Sequence, residues 1–248
     1  MTRDGLLSRA VAGLLGSPKA TLAAIVCLIL FAAAILAPVI APQDPYDLGQ
    51  IDMFDARLPP GSTGYDGMTY WLGTDAQGRD MLSAILYGLR TSLTVGVTAG
   101  VLALIVGTAL GLIAAYAGGR LDAFIMRVVD LMLGFPTILI ALMILVVFGQ
   151  GTWKVIIALV IVQWAYFARA VRGAALVEAN KDYVEAARCL GLSPARILAM
   201  HILPNCLPPL IIIVTIQVAS AIAAEATLSF LGIGLPIMEP SLGLLIAN

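Results

Sequence analysis

Five long apolar runs constrain this chain more than any other feature, at roughly 20–42, 91–117, 128–149, 155–172 and 206–228. Each reaches about 18 residues or more, the length at which a helix crosses a hydrocarbon core. The expected fold is therefore all-α, a polytopic helical bundle in a membrane. Composition agrees: 60% of residues are hydrophobic and 12% charged, with a mean hydropathy of +0.99. A soluble domain carries more charge and shorter apolar runs. The N-terminal segment resembles the start of a signal peptide, but the run after it is too long for a cleaved core and reads as a retained anchor.

Basic residues fix the expected orientation. If the spans alternate, ten of the fourteen Lys and Arg fall on one side: Arg3, Arg9, Lys19, Arg120, Arg127, Arg169, Arg172, Lys181, Arg188 and Arg196. Arg57, Arg79, Arg90 and Lys154 fall on the other. By the positive-inside rule the first set is cytoplasmic, and so is the N-terminus. The expected organisation is a tail and anchor over 1–42, an extracytoplasmic loop over 43–90, and a core over 91–248 with a cytoplasmic loop at 173–205. The external loop holds seven aspartates, which mark it as solvated. The chain stops at Asn248 inside LGLLIAN, which reads as an interrupted sixth helix, so five spans are visible of an expected six.

Several classes of chemistry find no support. The basic residues form no patch, so no nucleic-acid partner is expected. Cys27, Cys189, Cys206 and the single His201 show no metal-ligand spacing, and three cysteines make no disulfide scaffold. GxxxxGK[ST] is absent, so any nucleotide site must come from a partner. No catalytic residue, metal or cofactor is expected.

Within the runs, Gly96-x3-Gly100 and Gly107-x3-Gly111 recur 11 residues apart, placing four glycines near one helix face where another helix can approach closely. Glu225 is the ionisable group set deepest in a run. It is either an intramembrane functional group or a carboxylate near the interface that ties down the loop after it.

Residues 185–205 read EAARCLGLSPARILAMHILPN, a charged, Gly- and Pro-punctuated stretch between two apolar runs. Burying Glu185, Arg188 and Arg196 at the bilayer centre would cost about 2.5–3.5 kcal/mol each, so the stretch belongs at or below the membrane surface. The pattern predicts a helix through YVEAARCL that stops at Gly191 in a left-handed C′ position. Ser193 and Pro194 then serve as N-cap and first helical residue. Ile197, Leu198, His201 and Ile202 share a face, with His201 assigned to packing, and Pro204 ends the second helix. From these residues alone, an interfacial helix and a docking knob for a soluble partner fit equally.

The stretch resembles the EAA loop of importer-type ABC transporter permeases. Glu185, Ala186 and Ala187 supply the EAA, Gly191 the glycine, and Leu203-Pro204 the terminal pair. His201, read with Asn205 as HxLPN, resembles the dipeptide/oligopeptide (and nickel) branch. Residues 71–96 and 229–248 are similar to segments of the C-type subunit of that branch. The resemblance implies a type I importer permease fold in the bacterial inner membrane. It also implies a non-catalytic subunit that moves peptides inward by alternating access. The implied partners are a second permease subunit, two ATP-binding cassette ATPases and an extracytoplasmic substrate-binding protein. It assigns ATPase docking to Glu185, Ala186, Ala187, Arg188, Gly191, Leu203 and Pro204. For Asp75, Arg79 and Asp80 two readings stand: contact with the binding protein, or a self-capped turn. The competing function is a gradient-driven secondary transporter or channel dependent on Glu225.

Overall fold

A computed structural model describes residues 13 and 15–247; Arg3, Arg9 and Asn248, used above, lie outside the described residues. Among the described residues nine α-helices follow in chain order: α1 Pro18–Ile40, α2 Met81–Ala117, α3 Gly119–Gly134, α4 Thr137–Phe148, α5 Thr152–Ala179, α6 Asp182–Cys189, α7 Pro194–Ile197, α8 Leu203–Phe230 and α9 Leu242–Ala247. A π turn, Leu198–Ile202, joins α7 to α8. The described strands are β1 Ser62–Thr63 and β2 Thr69–Tyr70, antiparallel with Ser62 opposite Tyr70. The chain divides into two compact units, one running to Leu93 and the other spanning Thr94–Ala247.

In the first unit, Ser17 and Pro18 start α1, the Ser17 hydroxyl accepting the Ala20 amide. At 23 residues α1 is about 35 Å long, enough to span a bilayer, and nearly all its apolar side chains face outward. α2 begins at Met81, ten residues before the apolar run. The cause is Asp80, whose carboxylate accepts the Ser83 amide at 2.7 Å as an N-cap and carries the helix through MLSAILYGLR.

The second unit is organised around α5. Its buried residues include Val155, Ile156, Leu159, Val162, Phe167, Ala168 and Val171, and α4, α8 and α3 pack on it. The four glycines of α2 do admit close neighbours, but two different ones. A Cβ on Gly100 would lie 2.6 Å from Val218 of α8, and one on Gly111 would lie 2.5 Å from the Ala168 carbonyl of α5. One helix face, followed along its length, thus meets α8 first and α5 next.

Two expectations need correction. The run at 128–149 is not one straight helix: α3 and α4 meet at 92° around Phe135-Pro136. The residue before a proline is pushed out of the helical region, and Phe135 sits at φ −103, ψ 147. α4 alone is about 18 Å long, too short to span. Among the described residues four helices are long and apolar enough to cross, or five if the bent pair counts as one. α3 is pinned to α5 by two ion pairs, Arg172–Asp122, whose Nη2 and Oδ2 lie 2.6 Å apart, and Arg169–Asp130.

Pro204 does not end a helix either. The chain runs helically from Pro194 to Phe230, because the π turn makes room for the ring. A proline ring clashes with the carbonyl four residues back. Here the Leu203 amide bonds the Leu198 carbonyl five residues back, which widens the turn just ahead of Pro204.

Candidate functional site: the elbow between α5 and α8

Residues 180–203 fold into a short elbow. α6 ends where expected: Leu190 is the C-cap, and Gly191 follows at φ +72. The Gly191 amide bonds the Arg188 carbonyl at 2.9 Å and the Leu192 amide bonds Ala187 at 3.2 Å, the paired bonds of a Schellman end. Nothing lies within 4 Å of a Cβ placed on Gly191, so the glycine answers to backbone conformation and not to crowding. Ser193 is the extended N-cap and Pro194 the first helical residue, but the Ser193 hydroxyl makes no capping bond.

The elbow is grafted onto the helix ends by an apolar face. Val184, Ala187, Ile197 and Ile202 are buried with Leu112 of α2, Phe167, Val171 and Ala175 of α5, and Cys206 and Leu210 of α8. This leaves Glu185, Ala186 and Arg188 exposed on the opposite face, with Pro204 exposed and Leu203 half-buried. Ala187 is the exception among the EAA residues; it points into the core. Leu190, at the tip beside Gly191, stands 79% exposed, and Met200 is also exposed. Sequence reasoning passed over both because a single apolar residue off the buried face carries no periodic signal.

Polar contacts brace the elbow from outside. The Tyr183 hydroxyl donates to Glu178 at 2.5 Å, the Asn205 side-chain amide donates to that hydroxyl at 3.1 Å, and Asn205 also reaches the His201 carbonyl at 2.7 Å. Lys181 closes on the other Glu178 oxygen at 2.6 Å. One carboxylate and one phenol thus join α5, α6, the π turn and α8. Partial burial, then the Glu178 carboxylate, push the Tyr183 phenol above its ordinary value. Arg188 lies over the Tyr116 ring at 5.6 Å, tying α6 to the last turn of α2. His201 is half-buried, and its Nδ1 faces inward without a hydrogen-bond partner.

The remaining candidate residues lie elsewhere. Asp75, Arg79 and Asp80 are 3%, 1% and 0% exposed, so their side chains present no surface for direct contact. Asp75 accepts from the Arg79 amide and Nε and from the Gln77 amide, while Asp80 caps α2 and its amide donates to Gln43. This is the geometry of the self-capped turn. Asp55 holds the same loop, accepting the Tyr65 amide at 3.1 Å and the Tyr70 hydroxyl at 3.1 Å. Burial and that carboxylate push the Tyr70 phenol up to about 12. Glu225 is fully buried and accepts from the Ser229 hydroxyl at 2.8 Å; that oxygen in turn accepts the Leu235 amide at 3.3 Å. The carboxylate therefore ties the loop after α8 to the helix end. Among the described residues no group of His, Cys, Asp and Glu could hold a metal.

Residues 107–248, which include the whole elbow, match the family described as binding-protein-dependent transport system inner membrane component. The chain belongs to that family. Its relatives are similar well beyond the matched segment. It is 38% identical over 222 residues to the di/tripeptide transport system permease protein DppC of Pseudomonas aeruginosa, covering 89% of this chain and 72% of the relative. A putative peptide transport system permease protein of Brucella suis is 43% identical over 224 residues, covering 90% and 72%. Among solved structures, an inward-facing MetNI methionine ABC transporter chain aligns with a TM-score of 0.55 at 19% identity, covering 64% of this chain and 78% of that one. That likeness shows a shared helical fold. This permease is thus a membrane-embedded, multi-pass helical subunit.

Proposed function

We propose that this chain is a permease subunit of an ATP-driven importer that carries di- or oligopeptides inward across the bacterial inner membrane. Family membership, with peptide permeases among the relatives, supports the importer class and the substrate class. The observation that carries the mechanism is the elbow, a knob whose apolar face packs on α2, α5 and α8 and whose opposite face leaves Glu185, Ala186 and Arg188 exposed, with Arg188 resting over Tyr116. By the positive-inside distribution it faces the cytoplasm. There, Glu185 and Arg188 offer charged docking contacts to an ATPase, Ala186 permits close approach, and Leu190 supplies an apolar anchor at the tip. Ala187 acts from beneath by packing, Gly191 makes the bend, and Leu203-Pro204 hand motion on to α8. ATP hydrolysis belongs to two partner ATPases. A second permease subunit completes the path, and an external binding protein delivers the peptide.

Gradient-driven transport through Glu225 finds less support, because the Ser229 bond gives that carboxylate a structural occupation. The test is co-purification from detergent with native membrane partners, comparing the parent chain with a Gly191→Leu, Glu185→Lys variant. ATPase activity should travel with the parent and be lost with the variant. An ATPase-free parent would refute the docking role.

A further inference from the structure

We propose that Met53, Phe54 and Tyr65, in the loop between α1 and α2, form an aromatic docking surface for the external binding protein. This inference rests on the importer reading above and assigns that partner a site which Asp75, Arg79 and Asp80, being buried, do not provide. Met53 is 79%, Phe54 85% and Tyr65 86% exposed, and the two rings stand 6.3 Å apart, centroid to centroid. Large apolar groups set together in water mark an interaction surface more than scattered single ones do, and aromatic anchors dominate the energetics of such contacts.

The backbone that carries the rings is held in place before any partner arrives. The Asp52 carboxylate accepts the Phe54 amide at 2.9 Å, and Asp55 accepts the Tyr65 amide while bonding Tyr70 beneath. Asp66 fixes the turn that carries Tyr65 by accepting the Met68 amide at 2.9 Å. A surface already ordered loses little freedom on binding.

Two occupants suit exposed aromatic residues on a membrane protein, a protein partner and the lipid interface. Charge selects the first. Asp52 and Asp66 flank the two rings directly, and Asp44 and Asp47 are exposed in the same loop, against one exposed arginine, Arg57. Pressing the rings into headgroups would carry those carboxylates up against lipid phosphates of the same charge, which repel them. An aromatic centre with an acidic rim fits a protein that presents an apolar hollow ringed by Lys or Arg, and the rim charges would steer its approach.

The test uses the complete transporter in proteoliposomes and the external binding protein that stimulates its ATPase. A Phe54→Ser, Tyr65→Ser double variant should raise the concentration of binding protein giving half-maximal stimulation about tenfold or more, with basal hydrolysis and stimulated maximum unchanged. An Asp52→Asn, Asp66→Asn variant keeps both turns, since an amide oxygen still accepts, and should raise it about threefold at low salt. Half-saturation unchanged in the double ring variant overturns the surface. So does quenching of a Tyr65→Trp variant by brominated phospholipid, which would make the patch a lipid anchor. A parent complex that no binding protein stimulates defeats the importer reading itself, and the surface with it.

Discussion

Gly111→Ala is the substitution whose effect follows most directly from the packing of the second unit. A Cβ there would sit 2.5 Å from the Ala168 carbonyl oxygen and 3.0 Å from Val171 Cβ, whereas ordinary contact begins at 3.4 Å. The α2–α5 pair must therefore open by about 0.9 Å at this point. The first obstacle is main chain, so no rotamer change relieves it. Overpacking of this kind costs about 1–3 kcal/mol, and alanine returns up to about 1 kcal/mol of helix propensity. The net expectation is a loss of about 1–2 kcal/mol, a five- to thirtyfold shift in the folding equilibrium. Gly173→Ala is the control: the site is exposed on α5, with nothing within 4 Å, and should be stabilised or neutral. Reversible unfolding in mixed micelles, followed by tryptophan fluorescence, separates the two. If Gly111→Ala unfolds no earlier than Gly173→Ala, α2 and α5 do not approach as described and the reasoning fails.

Other expectations follow from single contacts. Tyr183→Phe removes the bond to Glu178 and the acceptor of Asn205; at about 0.5–1.5 kcal/mol it should lower peptide uptake per ATP hydrolysed while the ATPase still co-purifies, and an unchanged ratio would contradict the bracing role. Glu225→Gln keeps an acceptor for Ser229 and should retain ATP-driven uptake, whereas Glu225→Leu strands a buried hydroxyl at a cost of about 1–3 kcal/mol in thermal unfolding; loss of uptake in the Gln variant would point to ion coupling. The raised Tyr70 phenol makes its contribution to the external loop complete below its ordinary value and lost as pH climbs through about 12. Tyrosinate absorbance of wild type and Tyr70→Phe should therefore superimpose to about pH 11 and separate only above it.

Much of the fold was legible because bilayer thickness sets a length that apolar runs must meet, and α1, α2, α5 and α8 each contain one such run. The Gly191 stop was legible too, since a helix end at a glycine is a local event. The bend at Pro136 was written in GFPT but overridden by the apolar run around it. Pro204 misled in the opposite direction, because a π turn lets a helix absorb a proline, and its signal is a contact geometry and not a residue pattern. The Asp122–Arg172 pair and the Asn205–Tyr183 bond join residues 50 and 22 positions apart in the chain, so no spacing rule finds them. For Asp75, Arg79 and Asp80 the sequence shows polarity, but only the folded loop shows that Asp75 holds Arg79 while Asp80 turns to Ser83 and Gln43.

The most direct test of the central claim is peptide uptake into proteoliposomes that contain this chain, its second permease, the ATPases and the external binding protein. The account predicts uptake that requires ATP, survives collapse of ion gradients by ionophores, and is abolished by the Gly191→Leu, Glu185→Lys variant. Uptake that proceeds without ATP and stops when the proton gradient is collapsed would contradict it.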